Sequence, residues 1–362
     1  MRNKILTYIF IFTITLTGIS TAILPDLDVT FSERRPLFGL DDLKASGDFS
    51  SDFEKYALDQ FLLRDFFRRI KAFSEYNIFQ KSDNNGLYEF NDSIIKMMYP
   101  LDENSVNRLA EKVNKIVELY SKDNRIFYSI IPDKNYFADD GKHMTIDYNK
   151  MIDLLRLGIN EKIDYIDLFG ALSLSDYYKT DHHFRIDGLS GVLDALGSGM
   201  DIDLSVEGKD YYLSTYSPFY GAYYGQAAMN IDADTLLYLE SNLLENCTVK
   251  IWESFDSFTE HKGVYDYKKL GSIDSYDVFL YGTKPVVTIE NPAAENSREL
   301  IIFKDSFANS LTPLLIESYS KITLIDLRLV NHTVLDHFVT FDNADILFLY
   351  STLIANNSTI LK

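Results

Sequence analysis

Leu300-Ile301-Ile302-Phe303-Lys304-Asp305-Ser306-Phe307-Ala308-Asn309 decides how this chain folds. Its first half is an apolar, β-prone run, the mark of a strand buried on both faces of a parallel sheet. Its second half opens a helix over 307–319 that leads into Ile322-Thr323-Leu324-Ile325-Asp326-Leu327, another strand of the same kind. The unit recurs upstream. A helical pattern over 105–121 runs into Arg125-Ile126-Phe127-Tyr128-Ser129-Ile130-Ile131 and stops at Pro132-Asp133, and a helix over 146–158 leads to Tyr165-Ile166-Asp167-Leu168. Ala344-Asp345-Ile346-Leu347-Phe348-Leu349-Tyr350 adds one more central strand near the C-terminus. Alternating helix and strand predicts an α/β sandwich. Residues 205–297 depart from the pattern: rich in Tyr, Ser and Asp, with short alternating runs at 249–252 and 286–289, they are expected to form a β-containing insertion over the sheet edge.

Composition narrows the chemistry. The 362 residues carry 35 basic and 54 acidic side chains, a charge of 35 − 54 = −19, with 46% hydrophobic content, which is that of a globular chain. No basic stripe offsets the acidic balance, so nucleic acid is excluded as a partner. One cysteine, Cys247, rules out an internal disulfide framework and zinc sites built on several thiolates.

Arg2 and Lys4 precede an uncharged run over 5–24, which as a helix spans ~30 Å, a bilayer core. That is a signal peptide or signal anchor over 1–24. Ser20-Thr21-Ala22 loosely resembles a cleavage site, but the run exceeds the usual signal core of roughly 7–15 residues and favours a retained anchor. The positive flank places the rest of the chain outside the cytoplasm. Residues 25–50, with Pro25, Pro36 and mixed charges, are expected to be a stalk. An amphipathic helix over 52–73 follows, with Phe53, Tyr56, Ala57, Phe61, Leu62, Phe66 and Ile70 at helical spacing. Arg64, Arg68, Arg69 and Lys71 crowd its second half, either to face lipid or an anionic glycan or simply because cations favour C-terminal helix turns.

Two of the six histidines stand side by side in Asp176-Tyr-Tyr-Lys-Thr-Asp181-His182-His183-Phe184. In an extended segment alternate side chains share a face, so Asp181 and His183 point into one cleft while His182 points away. A carboxylate beside an imidazole is the orienter and base of nucleophilic catalysis. Ser306 is the candidate nucleophile: it ends a central strand, where open α/β sheets bind ligands, and begins a helix, whose N–H groups stabilise an oxyanion. Each piece has a plainer reading. Asp305 or Ser306 serves as an N-cap, an Asp-His pair as a surface hydrogen bond, and Asp181, His182, His183 and Asp187 have the ligand types of a metal site. Hard-metal sites need several converging carboxylates, and Asp139, Asp140, Asp164 and Asp167 lack convincing spacing, so no metal is expected. Arg328 ends the strand beside that of Ser306 and reaches the same crevice or pairs with Asp326. Tyr220, Tyr223 and Tyr224 flank Gly221 and suit sugar rings.

The 176–184 run, with Lys304-Asp-Ser-Phe-Ala-Asn-Ser310 and Ile325-Asp-Leu-Arg328 downstream, resembles the bacterial DHHW family, itself similar to exported alginate O-acetylation proteins. The resemblance spans residues 30–350 through Tyr56, Asp59 and Arg64, Asn85-Gly86-Leu87, Ile131-Pro-Asp-Lys-Asn135 and Pro218-Phe-Tyr-Gly221. It implies an SGNH-hydrolase-like three-layer sandwich over 51–362 with a mostly parallel sheet, in which Asp-x-His precedes the serine, a permuted order that this chain shows. By resemblance Ser306 is the nucleophile, His183 the general base and acid, and Asp181 its orienter. The Ser306 N–H is the first oxyanion donor, with Asn309 or Gly221 as second. Phe184 stands where the family has tryptophan and Lys304 where many relatives have glycine, and neither change removes a catalytic atom.

The activity implied is that of a polysaccharide O-acetyltransferase at the extracytoplasmic face of a bacterial membrane, acting through an acetyl-serine without a cofactor. A polytopic membrane-bound acyltransferase is the implied acetyl donor, and an extracellular polysaccharide the acceptor. A carbohydrate O-acetylesterase with the same triad and a non-catalytic glycan-binding protein of the acetylation machinery are the alternatives.

Overall fold

The computed structural model describes residues 2–45, 47–121 and 123–362; Met1 and Ser46, which fall in the expected anchor and stalk, lie outside the described residues. Its middle layer is an eight-stranded sheet of β1 (Ile126–Ile131), β2 (Asp164–Asp167), β3 (Thr248–Trp252), β4 (Phe258–Lys262), β5 (Val286–Glu290), β6 (Glu299–Lys304), β7 (Lys321–Ile325) and β8 (Ala344–Ser351). The spatial order is β4-β3-β5-β7-β6-β8-β1-β2. From β7 to β2 neighbours run parallel, and β5, β3 and β4 add on antiparallel. Among the described residues, the helices of nine residues or more are α1 (Arg2–Ile23), α2 (Phe49–Asp59), α3 (Arg64–Phe73), α4 (Glu103–Tyr120), α5 (Tyr148–Gly158), α6 (Ser190–Met200) and α7 (Phe307–Leu315).

Strand side chains alternate between faces, so each central strand feeds two cores. Leu300, Ile302, Leu347 and Leu349 pack with Val192 and Leu196 of α6 and Leu311 of α7. Ile301, Phe303, Ile346 and Phe348 pack with Leu109 and Val113 of α4 and Met151 and Leu155 of α5. Helices therefore cover both faces and the domain has three layers. α4 shows how local signals suffice: Asp102 caps it by accepting the Ser105 N–H at 2.9 Å, and its buried Val106, Leu109, Val113 and Ile116 form one stripe.

Four expectations change. The helix expected over 307–319 stops at Leu315 and continues as a 3-10 turn, Ile316–Ser318, where Asn291 Nδ2 donates to the Ile316 carbonyl at 2.8 Å. The helix expected over 52–73 is broken: Leu63 has φ 58° and separates α2 from α3. The Gln60 amide at the break accepts from Leu27 N and donates to the Leu27 and Phe38 carbonyls, so the N-terminal segment is sewn to that corner. Within 205–297, β3, β4 and β5 extend the sheet instead of lying over its edge, giving the edge N–H and C=O groups of β7 a partner. A separate hairpin, Tyr212–Phe219 with Asp234–Glu240, completes that region.

The segment expected to be a stalk is folded against the body. Val29–Thr30 pairs with Arg35–Pro36, and Ser32 presses so close to Gly225 that a Cβ there would lie 1.3 Å from the Ser32 carbonyl oxygen. Charge explains the docking: Glu33 accepts from Arg64 at 2.5 Å and lies 3.1 Å from Arg68, while Asp59 pairs with Arg35 at 2.5 Å. Beyond this segment α1 stands free. Lys4–Thr21 has mean hydropathy 1.4 and no buried share, and it is long and apolar enough to cross a membrane.

Candidate active site

Ser306 gets its position from β6, which is buried almost throughout and delivers it to the C-terminal edge of the sheet between β7 and β8. The capping role that a serine here would ordinarily fill goes to Asp305. Its Oδ1 accepts the Phe307 N–H at 3.0 Å and its Oδ2 the Ser351 N–H at 2.8 Å. Ser306 makes no side-chain cap, and its Oγ lies 2.7 Å from His183 Nε2.

His183 is placed by a turn. Residues 179–183 bend, and Asp181 Oδ1 accepts both the His183 backbone N–H at 3.0 Å and the Nδ1 hydrogen at 2.7 Å, the tautomer this network requires. Asp181 and His183 thus meet as expected, but strand alternation is not the reason, and His182 is not thrown to the far side. Its ring lies 3.8 Å from that of His183, and it lines the cleft beside Ser306 with 23% of its side chain exposed. Phe184, fully buried, packs edge-on against Phe307.

The loop is clamped by residues distant in sequence. Asp181 Oδ2 accepts from Arg34 Nη1 at 2.9 Å and from the Ala222 N–H at 2.7 Å, and Arg34 also pairs with Asp274. The Lys134 ammonium donates to the carbonyls of Tyr178, Lys179 and Asp181 at 2.7, 2.9 and 3.2 Å, three acceptors for three hydrogens. Asp234 accepts the Lys179 and Thr180 N–H groups, each at 2.8 Å. Tyr276 lies flat on the His183 ring, 3.7 Å away at 7°, with its hydroxyl donating to Ser310 Oγ. Arg34, Asp234 and Tyr276 gave no signal in the sequence. Lys134 gave a partial one, a lysine in the Pro-Asp-Lys-Asn turn that closes β1.

Burial alone would raise the Asp181 pKa, but the His182 and His183 imidazoles and Arg34 outweigh it and hold the carboxyl well below its ordinary range. Burial lowers Lys134 to about 7, opposed by Asp234 and Asp181. Burial, then His183, lower the His182 pKa, opposed by Asp181. Asp181, His182 and His183 offer ligand atoms within 4.8 Å of one another, yet they do not fit a cation. Both Asp181 oxygens already accept hydrogens, the Arg34 guanidinium stands against it, and His183 Nε2 faces Ser306. Asp187 is forked to Arg185.

Two expected oxyanion donors are turned elsewhere. Asn309 is buried, its Oδ1 accepting from Lys304 Nζ at 2.6 Å and its Nδ2 donating to the Gly282 carbonyl at 3.3 Å, because the helix turn points it into the core behind β6. The Gly221 N–H donates to Thr180 Oγ1 at 2.9 Å, and the glycine backs directly onto Asp181. Tyr220 packs on Tyr224, ring centroids 4.3 Å apart, and is not among the residues that line the cleft. Arg328 does both things considered for it: it is forked to Asp326 at 2.9 and 2.6 Å and lines the cleft. That cleft, about 300 Å³, joins Ser306 and His182 to Arg328, Lys96, Ser351 and Asn357.

The DHHW protein family profile matches residues 160–325, which hold Asp181, His183 and Ser306. No curated protein matches the sequence. Among solved structures, a DHHW family protein from Eubacterium siraeum superposes with a TM-score of 0.62 at 20% identity, over 77% of this chain and 94% of its own. Bacillus cereus PatB1 with a sulfonyl adduct gives 0.60 at 18% identity over 76% and 97%, and a second Bacillus cereus PatB1 structure 0.61 at 16% over 76% and 98%. The chain is thus similar in fold to the DHHW family protein and to PatB1 across some three quarters of its length, and its residues 160–325 match the DHHW family profile.

Proposed function

We propose that this protein is an exported, membrane-anchored O-acetyltransferase with an SGNH-like triad that modifies an extracytoplasmic polysaccharide through an acetyl-serine intermediate. The observation that carries the reading is the continuous chain from Ser306 Oγ through His183 to Asp181, with 2.7 Å at each link. The apolar α1, the fold shared with PatB1 and the DHHW match over the triad segment support it. A sulfonyl adduct, present in one PatB1 structure, is a modification that activated nucleophiles accept.

Each proton has a place to go. His183 Nε2 takes the Ser306 hydrogen as Oγ attacks the acetyl carbonyl, and Asp181 stabilises the imidazolium. The tetrahedral intermediate expels the donor's leaving group, which takes the proton from His183. The Ser306 N–H, at the start of α7, is the first donor to the oxyanion. A sugar hydroxyl then gives its proton to His183 and attacks the acetyl-serine, and Ser306 leaves as the alcohol with that proton. A membrane-bound acyltransferase supplies the acetyl group, because acetyl-CoA is confined to the cytoplasm.

Intact-mass spectrometry of the detergent-solubilised full chain with an aryl acetate tests this. Wild type gains one acetyl group on Ser306; Ser306→Ala gains none, and His183→Ala loses at least ~10³-fold in the rate of acetylation. Transfer of that acetyl to added oligosaccharide supports the transferase, and release to water alone supports an esterase. No adduct and no turnover from folded wild type would refute the catalytic reading in favour of glycan binding.

A further inference from the structure

α3 is built inside out. Its inward face is Arg64, Arg68 and Ala72, with both arginines held by Glu33 and Arg68 Nη2 donating to the Gly225 carbonyl at 2.7 Å. Its outward face is Phe66, Phe67, Ile70 and Phe73, between 44% and 60% exposed. Phe61 and Leu63 extend this apolar surface before the helix, and Ile78 and Phe79 after it. Soluble domains bury such a stripe, and a contiguous exposed one marks a surface that is covered in use. The ion pairs to Glu33 prevent the helix from rolling its aromatics inward.

The surroundings identify the cover. Phe66 shares one groove with Thr21 and Leu24, at the end of α1, and another with Ile70 and Phe73, so the apolar surface is continuous with the point where the anchor leaves its apolar run. Arg69 and Lys71 sit at the exposed edge. Aromatic residues beside a membrane exit with basic residues at the rim are what the headgroup zone of a bilayer accommodates. We propose that the Phe66-Phe67-Ile70-Phe73 face of α3 lies in the headgroup region of the same bilayer that α1 spans, as a second, interfacial contact. The inference rests on the reading of α1 as a retained anchor. It sets the body on the membrane at two points, and the chain between them, residues 24–63, includes Arg34, which reaches Asp181.

The test uses the full chain in a Trp252→Phe background, Trp252 being the sole tryptophan. Single reporters are Phe66→Trp, Phe73→Trp, Ile14→Trp in α1, and Leu157→Trp, whose position is 85% exposed. Each is reconstituted in phosphatidylcholine/phosphatidylglycerol vesicles with lipids spin-labelled near the headgroup or deep in the chain. Phe66→Trp and Phe73→Trp are expected to lose about half their emission to the shallow label and to resist iodide, while Leu157→Trp behaves oppositely. Iodide access at Phe66 and Phe73 equal to that at Leu157, with Ile14→Trp still quenched by the deep label, would overturn this inference alone. Shielding from iodide without quenching by lipid would also overturn it, in favour of a second copy of the chain. No deep quenching at Ile14→Trp would overturn the anchor and the inference together. Phe66→Cys, Phe73→Cys and Leu157→Cys carrying an environment-sensitive fluorophore, with buried Cys247 left unlabelled, give the same reading in the native tryptophan background.

Discussion

One added methyl group at Gly221 is expected to disarm the triad while leaving the fold standing. The residue has φ −79° and ψ −178°, extended backbone open to any side chain, so Gly221→Ala introduces no backbone strain. The effect is steric. An alanine Cβ would sit 2.2 Å from Asp181 Cβ, 2.5 Å from its Oδ2 and 2.6 Å from its Cα, where ordinary contacts begin at 3.4 Å. The two backbones must part by roughly an ångström, and a shift of that size in a catalytic group lowers turnover ~10²-fold. Asp181 has no slack to absorb it, because Arg34, the Ala222 N–H and His183 all grip its carboxylate. Overpacking of this kind costs about 1–3 kcal/mol in stability, survivable for a domain with this large a core. The assay pairs steady-state aryl acetate hydrolysis with thermal unfolding of the same variant. Wild-type kcat with an unaltered Tm would refute both the close packing behind Asp181 and its part in catalysis.

Arg34→Ala leaves Asp181 and Asp274 without their shared cation. Breaking so buried a pair is expected to cost about 3–5 kcal/mol, with Arg34→Lys recovering only part because lysine has no fork to span both carboxylates; an unchanged urea midpoint would refute it. Asp181→Asn should lower kcat ~10⁴-fold by reversing the His183 tautomer. It also tests linkage: a carboxyl whose folded pKa lies below its unfolded value of about 3.9 contributes stability above that pH and loses it as pH falls through the folded pKa. Wild-type Tm should therefore fall more steeply than that of Asp181→Asn below about pH 4, and parallel curves would contradict the assignment. Asn309→Ala should lower Tm yet leave aryl acetate turnover within several-fold, whereas a loss of ~10²–10³ would return Asn309 to the oxyanion hole.

Much of the candidate site was legible because Ser306, Asp181 and His183 sit at local landmarks. Ser306 follows an apolar strand, and Asp181 and His183 are two residues apart beside a histidine that draws the eye. Their meeting was foreseen for the wrong reason: a turn closed by the Asp181 carboxylate, not a strand, brings them together. Asn309 and Gly221, expected as second oxyanion donors, have their amides bonded elsewhere in the structure, because neither residue type nor spacing says which way an amide turns once a helix packs. The stalk was misjudged as well. Proline and mixed charge describe an extended segment, and only the pairs of Glu33 with Arg64 and Arg68 and of Arg35 with Asp59 reveal that it is docked.

The sequence by itself determined the parallel central strands with the helices at 105–121 and 146–158, the two-faced burial of those strands and the apolar α1. These rest on periodicity and composition, which act over a few residues. The tertiary structure alone decided that Arg34 reaches Asp181 across 147 positions of chain, that Lys134 holds the carbonyls of Tyr178, Lys179 and Asp181, and that α3 shows its aromatics to the outside. Such contacts depend on how whole layers pack and where charges find partners, and no local period encodes that.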